Sequence, residues 1–186
     1  MEFKKVEKIS EGKFISRYDI TYVTEDKKNK VYEMISRDKN IKTQNDLKNP
    51  HTDGVVIVMT NESEDKILLN REFRMAVGGY VYNFPAGLID AGETPQTAAR
   101  RELKEETGMD LIEVTDELFD SYSAVGFSNE TNAVVIGKAG GTFAPSDSTL
   151  EEIQAGWYTK EEVRKLLKEN YFAARTQAFC YMWAVK

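Results

Sequence analysis

Glu102, Glu105 and Glu106 crowd one short stretch of the chain, GLIDAGETPQTAARRELKEETGM at residues 87–109. The stretch reads as a helix, and at about 100° per residue Glu102 and Glu106 fall roughly 40° apart, with Glu105 beside them inside an arc of about 100°. Three carboxylates so placed repel one another unless a positive charge sits among them. A hard divalent cation such as Mg2+ or Mn2+ suits this position, because it takes oxygen ligands and keeps waters for a phosphate substrate. The competing reading is a solvated helix face laced with opposite charges, in which Arg101 and Glu105 form a permitted pair at four residues.

The helix that must carry these side chains has legible ends. Thr94 suits the N-cap, Pro95 the first helical position, and Gly108 the left-handed position after the last turn. The spacing therefore predicts a helix over 95–107. Ala99 and Leu103 give it an apolar contact line, while Ala98 lies in register with Glu102 and Glu106 and is small enough to leave room for metal and substrate. Gly87 and Gly92 bracket an acidic loop containing Asp90, and Glu93 can pair with Arg101 across the loop–helix junction.

The remaining elements frame that helix. Runs at 13–23 and 30–37 alternate partially and are joined by the polar TEDKKNK, which predicts a hairpin. A polar connector leads to strands at 54–60, 67–73 and 81–84. Beyond the helix come strands near 112–124, 131–138 and 154–158, then helices at 160–169 and 172–185. This order predicts an α+β or mixed-sheet sandwich fold with an N-terminal β-hairpin extension. The expected division is a hairpin region at 1–50 and a second domain, carrying the acidic helix, at 51–186.

Composition narrows the partners. With 186 residues and a formal charge of −6, the chain is large enough for a proper core but poorly suited to broad electrostatic capture of nucleic acid. No apolar run approaches the roughly 18–20 residues that cross a bilayer, and the first residues carry no signal-like apolar core. The expectation is a cytoplasmic protein with neither nucleic-acid nor membrane partners. The single Cys180 reads as a small buried hydrophobe. His51 reads as a solvated loop residue, since no second His or Cys could complete a zinc site.

Gly87, Glu93, Arg101, Glu102, Glu105, Glu106 and Gly108, with apolar Leu103 and Met109, satisfy every defining position of the Nudix box. At ordinary residue frequencies, seven such matches in register arise by chance on the order of once in a million. The chain thus resembles the Nudix hydrolases. The resemblance implies a mixed β-sheet sandwiched between helices, with N-terminal strands that serve dimerisation, and divalent-metal-dependent hydrolysis of a nucleoside diphosphate linked to another group by the 51–186 domain. It implies Glu102 and Glu106 as metal ligands, Glu105 as a further or supporting carboxylate, and the Ala86 carbonyl as a ligand from the preceding loop. Arg101 is expected among the catalytic residues, and Gly87, Glu93 and Gly108 are expected to shape the box. A carboxylate must also accept a proton. Glu130, in the loop SAVGFSNET, is the candidate base and a further candidate metal ligand; Glu105 is the alternative base, and a surface role for Glu130 stays open.

The flanks LLNREFR and YVYNFPAGLIDAGE, with YEMISR in the N-terminal hairpin, resemble the ADP-ribose pyrophosphatase branch. That implies a homodimer, a phosphate contact from Arg74, substrate contact at Leu88, and stacking on the base by Arg37, Tyr18 or Tyr22. For the N-terminal residues, ordinary sheet surface is the competing reading. One departure concerns substrate: Val125 stands before Gly126 where that branch typically has Pro, whose fixed φ would stiffen the loop. Two other functions stay open, a triphosphate-cleaving housecleaning enzyme and a non-catalytic ADP-ribose-binding module.

Overall fold

The computed structural model describes residues 1–146 and 152–185, and the chain divides into two units, Met1–Asp53 with Asp120–Asn132, and Gly54–Phe119 with Ala133–Lys186. In the first unit, strands β1 (Glu2–Glu11), β2 (Ser16–Val23) and β3 (Asn29–Ser36) form an antiparallel sheet in the order β1-β2-β3. The β2–β3 hairpin matches the expected one, whereas β1 lies outside the expected elements. Its inward residues, Phe3 and Val6, are three positions apart because the pairing with β2 slips between Phe3 and Lys5. Such a bulge breaks the two-residue period by which a half-buried strand is recognised. Tyr18, Ile20, Met34 and Ile41 form the core of this unit, with Phe3, Val6, Tyr22 and Leu47 against it.

The second unit is built on β4 (Gly54–Thr60), β5 (Lys66–Arg74), β6 (Gly79–Asn83), β7 (Ala86–Leu88), α1 (Pro95–Thr107), β8 (Met109–Tyr122), β9 (Thr131–Gly141), β10 (Ile153–Thr159), α2 (Lys160–Glu169) and α3 (Ala174–Val185). Its sheet runs β10-β5-β4-β9-β8, with β6 paired to β5 and β7 to β4. Strand β4 reads GVVIVMT and is apolar and buried from Val55 to Met59 because both of its faces are covered. Val55, Ile57 and Met59 point to a core shared with Leu68, Met109 and the α1 residues Ala98, Ala99 and Leu103. Val56 and Val58 point the other way, to a core with Ile67, Leu69, Phe84, Val163 of α2 and Cys180 of α3. Alternation along a strand thus puts α1 on one face of the sheet and α2 and α3 on the other. Among the described residues, no helix is long and apolar enough to cross a membrane.

Helix α1 begins and ends where its sequence places it. The Thr94 side chain accepts from the Thr97 backbone N–H, the Thr97 hydroxyl oxygen accepts in turn from the Thr94 N–H, and Pro95 occupies the first turn. At the other end Gly108 takes φ +76°, and its N–H donates to the Lys104 carbonyl.

Candidate functional site

Helix α1 presents its carboxylates over a graded range of burial. Glu106 is only 7% exposed, the Glu102 side chain 15% and that of Glu105 49%. Ala98 does not leave room for a ligand, contrary to the expectation from its register: it is fully buried among Val55, Leu68 and Leu103. A helical wheel fixes only the angles between residues, and α1 is covered over a wide arc by β4, β7 and β10. The open part of the box lies at Glu102 and Glu105, with Glu106 at its inner edge.

Arg101 organises this part. Its guanidinium grips Glu93 with two bonds, Nε to Oε1 at 3.0 Å and Nη2 to Oε2 at 2.8 Å. It also donates to Glu102 Oε1 at 2.7 Å, Glu105 Oε2 at 3.3 Å and the Leu88 carbonyl at 2.9 Å, with Asp90 at 3.8 Å. The planar five-donor fork of arginine makes such a multiple grip possible. The Arg101 bonds and the Asp90 backbone N–H hold the Glu93 carboxyl down at about 2, and Glu93 in turn pushes Arg101 further above its ordinary value. Arg101 therefore stays charged, and its placement is that of a clamp from loop to helix.

Four carboxylates share this one cation, so negative charge remains in surplus. Gly87 admits one of them: a Cβ there would overlap the Glu102 carboxylate far inside 3.0 Å. At Gly108 a Cβ would come within 2.5 Å of the Ala144 nitrogen, which donates to the Thr107 carbonyl. Ala86 and Gly87 pair with Val56 and Val55 of β4, which fixes the backbone of β7 beside the box. Leu88 is exposed. Arg74, at the end of β5, is largely exposed and lies 3.7 Å from Glu72.

Four polar residues of this unit, Asn70, Glu72, Asn83 and Thr176, have no role in the expectations from sequence. Asn70, fully buried on β5, donates its Nδ2 to Glu106 Oε2 at 2.8 Å. Asn83 on β6 donates to Glu72 Oε1 at 2.9 Å and accepts from the Thr176 hydroxyl at 2.8 Å. The sequence does carry a signal for Asn70 and Glu72: they continue the Leu68 parity of β5, so they occupy positions where a strand of this kind carries core residues. The donors gathered around α1 are oxygens with surplus negative charge, which suits a hard divalent cation. Among the described residues, no group of three or more His, Cys, Asp and Glu side chains is gathered closely enough to hold a metal. The buried Asn70 Oδ1, on the residue that donates to Glu106, has no hydrogen-bond partner among the described residues.

The other expected residues lie in the first unit. Glu130 accepts from Arg37 Nε at 2.7 Å and from the Ser123 hydroxyl at 3.1 Å, so two residues expected in different roles are brought together as an ion pair. Tyr18 is corrected: its ring is fully buried in the sheet core and its hydroxyl donates to the Asp38 carbonyl at 2.8 Å, leaving no face for a base. Tyr22 is half-buried against Phe3. Val125 is exposed, and strand β3 hydrogen-bonds the residues that follow it in the loop. The Ile35 N–H donates to the Phe127 carbonyl at 2.9 Å, and the Tyr32 hydroxyl donates to the Gly126 carbonyl.

Comparison with known proteins adds an independent view. The sequence profile described as the NUDIX domain matches residues 50–178. An ADP-sugar pyrophosphatase of Mus musculus is 32% identical over 102 residues, covering 55% of this chain and 45% of that protein. An ADP-ribose pyrophosphatase of Bacillus subtilis is 30% identical over 140 residues, 69% of this chain and 71% of that protein. The chain thus spans less than half the length of the mouse relative. A crystal structure of an ADP compounds hydrolase superposes with a TM-score of 0.74 at 21% identity, covering 100% of this chain and 93% of that one, a likeness of fold.

Proposed function

The chain belongs to the Nudix family, and on that footing we propose that it hydrolyses the pyrophosphate of ADP-ribose or a related nucleotide sugar, releasing AMP and ribose 5-phosphate from ADP-ribose. The observation that carries this reading is the α1 site itself, where Glu102 lies against Gly87, Arg101 ties Glu93 to Glu102, and Glu106 is held from β5. The activities named for the mouse and Bacillus subtilis relatives support the choice of substrate class.

Glu102 and Glu106, with the Ala86 carbonyl, are the groups that would hold a divalent cation, Mg2+ or Mn2+. Such a cation supplies neutralisation of pyrophosphate charge and a more acidic water. Arg101 keeps Glu102 in place through the shared grip on Glu93, so the carboxylate need not reorganise when substrate arrives. Arg74, exposed at the end of β5, offers a cation for a phosphate oxygen. Glu130 is the first candidate to accept the proton and the exposed Glu105 the second; comparison of Glu130→Gln with Glu105→Gln separates them. We further assign the protein to the cytoplasm and to a homodimer assembled through the 1–50 region, with 51–186 as the hydrolase domain. A solution mass near twice 21.2 kDa is expected.

The test is a substrate panel with Mg2+ and product identification. AMP and ribose 5-phosphate from ADP-ribose are expected. A tenfold preference for a nucleoside triphosphate over every dinucleotide and nucleotide sugar overturns the substrate assignment, and binding without turnover overturns the enzyme reading.

A further inference from the structure

We propose that Asn70, which lies outside the 87–109 stretch, is a positioning residue that holds Glu106 in its cation-binding orientation and lends its free amide oxygen to the cation's surroundings. The inference rests on the metal-dependent reading above. Glu106 is a carboxylate at only 7% exposure, and a buried carboxylate requires donors. Asn70 Nδ2 is such a donor at 2.8 Å, set on a strand that has β4 and β10 as neighbours in the sheet. The sheet therefore fixes the orientation of a side chain that α1 alone would leave free to rotate.

The chemistry of the donor matters as much as its position. An arginine, as at Glu93 and Glu102, neutralises the carboxylate it holds; an amide orients the carboxylate and leaves its full charge. Asn70 thus aims Glu106 without competing with a cation for it. The second end of the amide points to the same role. Asn70 Oδ1 is buried with no hydrogen-bond partner among the described residues, as are Ser16 Oγ and Asn129 Oδ1 of the first unit; of these acceptors only Asn70 also holds a carboxylate of the box, and a buried acceptor calls for a partner. A Leu at this position would continue the apolar parity of Leu68 but would take from Glu106 its amide donor, so the amide serves the carboxylate rather than the packing. A cation or its bound water beside Glu106 would satisfy that oxygen.

The test measures Mn2+ binding to substrate-free protein by isothermal titration calorimetry, together with melting temperature with and without Mn2+. Asn70→Ala is expected to weaken Mn2+ binding about 10- to 100-fold, the usual effect of removing a residue that orients a ligand. Asn70→Asp keeps the volume but sets a second carboxylate against Glu106. It should melt lower than wild type without cation and gain more from saturating Mn2+ than wild type does. Mn2+ binding by Asn70→Ala within twofold of wild type, or a Mn2+-induced gain in Asn70→Asp no larger than that of wild type, overturns the inference and leaves the hydrolase reading standing. Wild-type protein that binds no divalent cation overturns both.

Discussion

Replacing Gly87 by Ala should separate the stability of this fold from its chemistry. The added Cβ would stand far inside 3.0 Å of the Glu102 carboxylate, and the obstructed atoms are the far end of a flexible side chain rather than backbone. Glu102 can therefore yield, at about 0.5–1.5 kcal/mol for an off-rotamer side chain. Against this, Gly→Ala restricts the unfolded chain and stabilises by about 0.4–1 kcal/mol. The two nearly cancel, so the net change stays within about 1 kcal/mol and the melting temperature within about 4 °C for a chain of this size. The carboxylate, however, must retreat by at least about 1 Å, and a displacement of that size at a reacting centre costs about 100-fold in rate. The assay pairs thermal melting with Mg2+-dependent release of AMP from ADP-ribose. In a protein already carrying Glu102→Ala, Gly87→Ala should cause no further loss of either quantity, because the obstructed group is gone. A Gly87→Ala enzyme with a rate within threefold of wild type refutes the reasoning, as does a melting temperature lowered by more than about 10 °C.

Three further outcomes follow from the same geometry. Glu106→Gln retains an oxygen for Asn70 and so should fold normally, yet lose at least about 100-fold in turnover through loss of charge at the site; near-normal rates would place the cation elsewhere. Gly108→Ala forces a residue with a Cβ into φ +76° and against Ala144, and urea unfolding should show a loss of at least about 1–2 kcal/mol; no loss would mean that the turn relaxes freely. The Glu93 carboxyl is held at about 2 against an ordinary 4.5, chiefly by Arg101. Its folded value is depressed, so its contribution is complete above pH about 4.5 and is lost as pH falls towards 2. Melting curves across that window should fall less steeply for Glu93→Gln than for wild type, and parallel curves would contradict the clamp.

Local signals make α1 legible. Thr94, Pro95 and Gly108 satisfy the orphaned backbone groups of a helix within a few residues of its ends, so the boundaries at Pro95 and Thr107 can be read without the rest of the chain. Strand β1 escapes such reading because its bulge puts Phe3 and Val6 out of alternation. Periodicity misplaces Ala98 because it gives relative angle and not the direction of the core. Tyr18 carries a ring suited to stacking, but its burial is set by packing within the N-terminal sheet.

The spacing of Gly87, Glu93, Arg101, Glu102, Glu105, Glu106 and Gly108 was legible in the sequence alone, and it set Glu102, Glu105 and Glu106 side by side on α1, since a helix converts intervals of three and four residues directly into neighbouring side chains. Which partner holds each carboxylate was decided only in three dimensions. Asn70 and Glu106 are 36 residues apart in the chain, and Arg37 and Glu130 are 93 apart. Such pairs depend on how strands and helices pack, and no local interval encodes that.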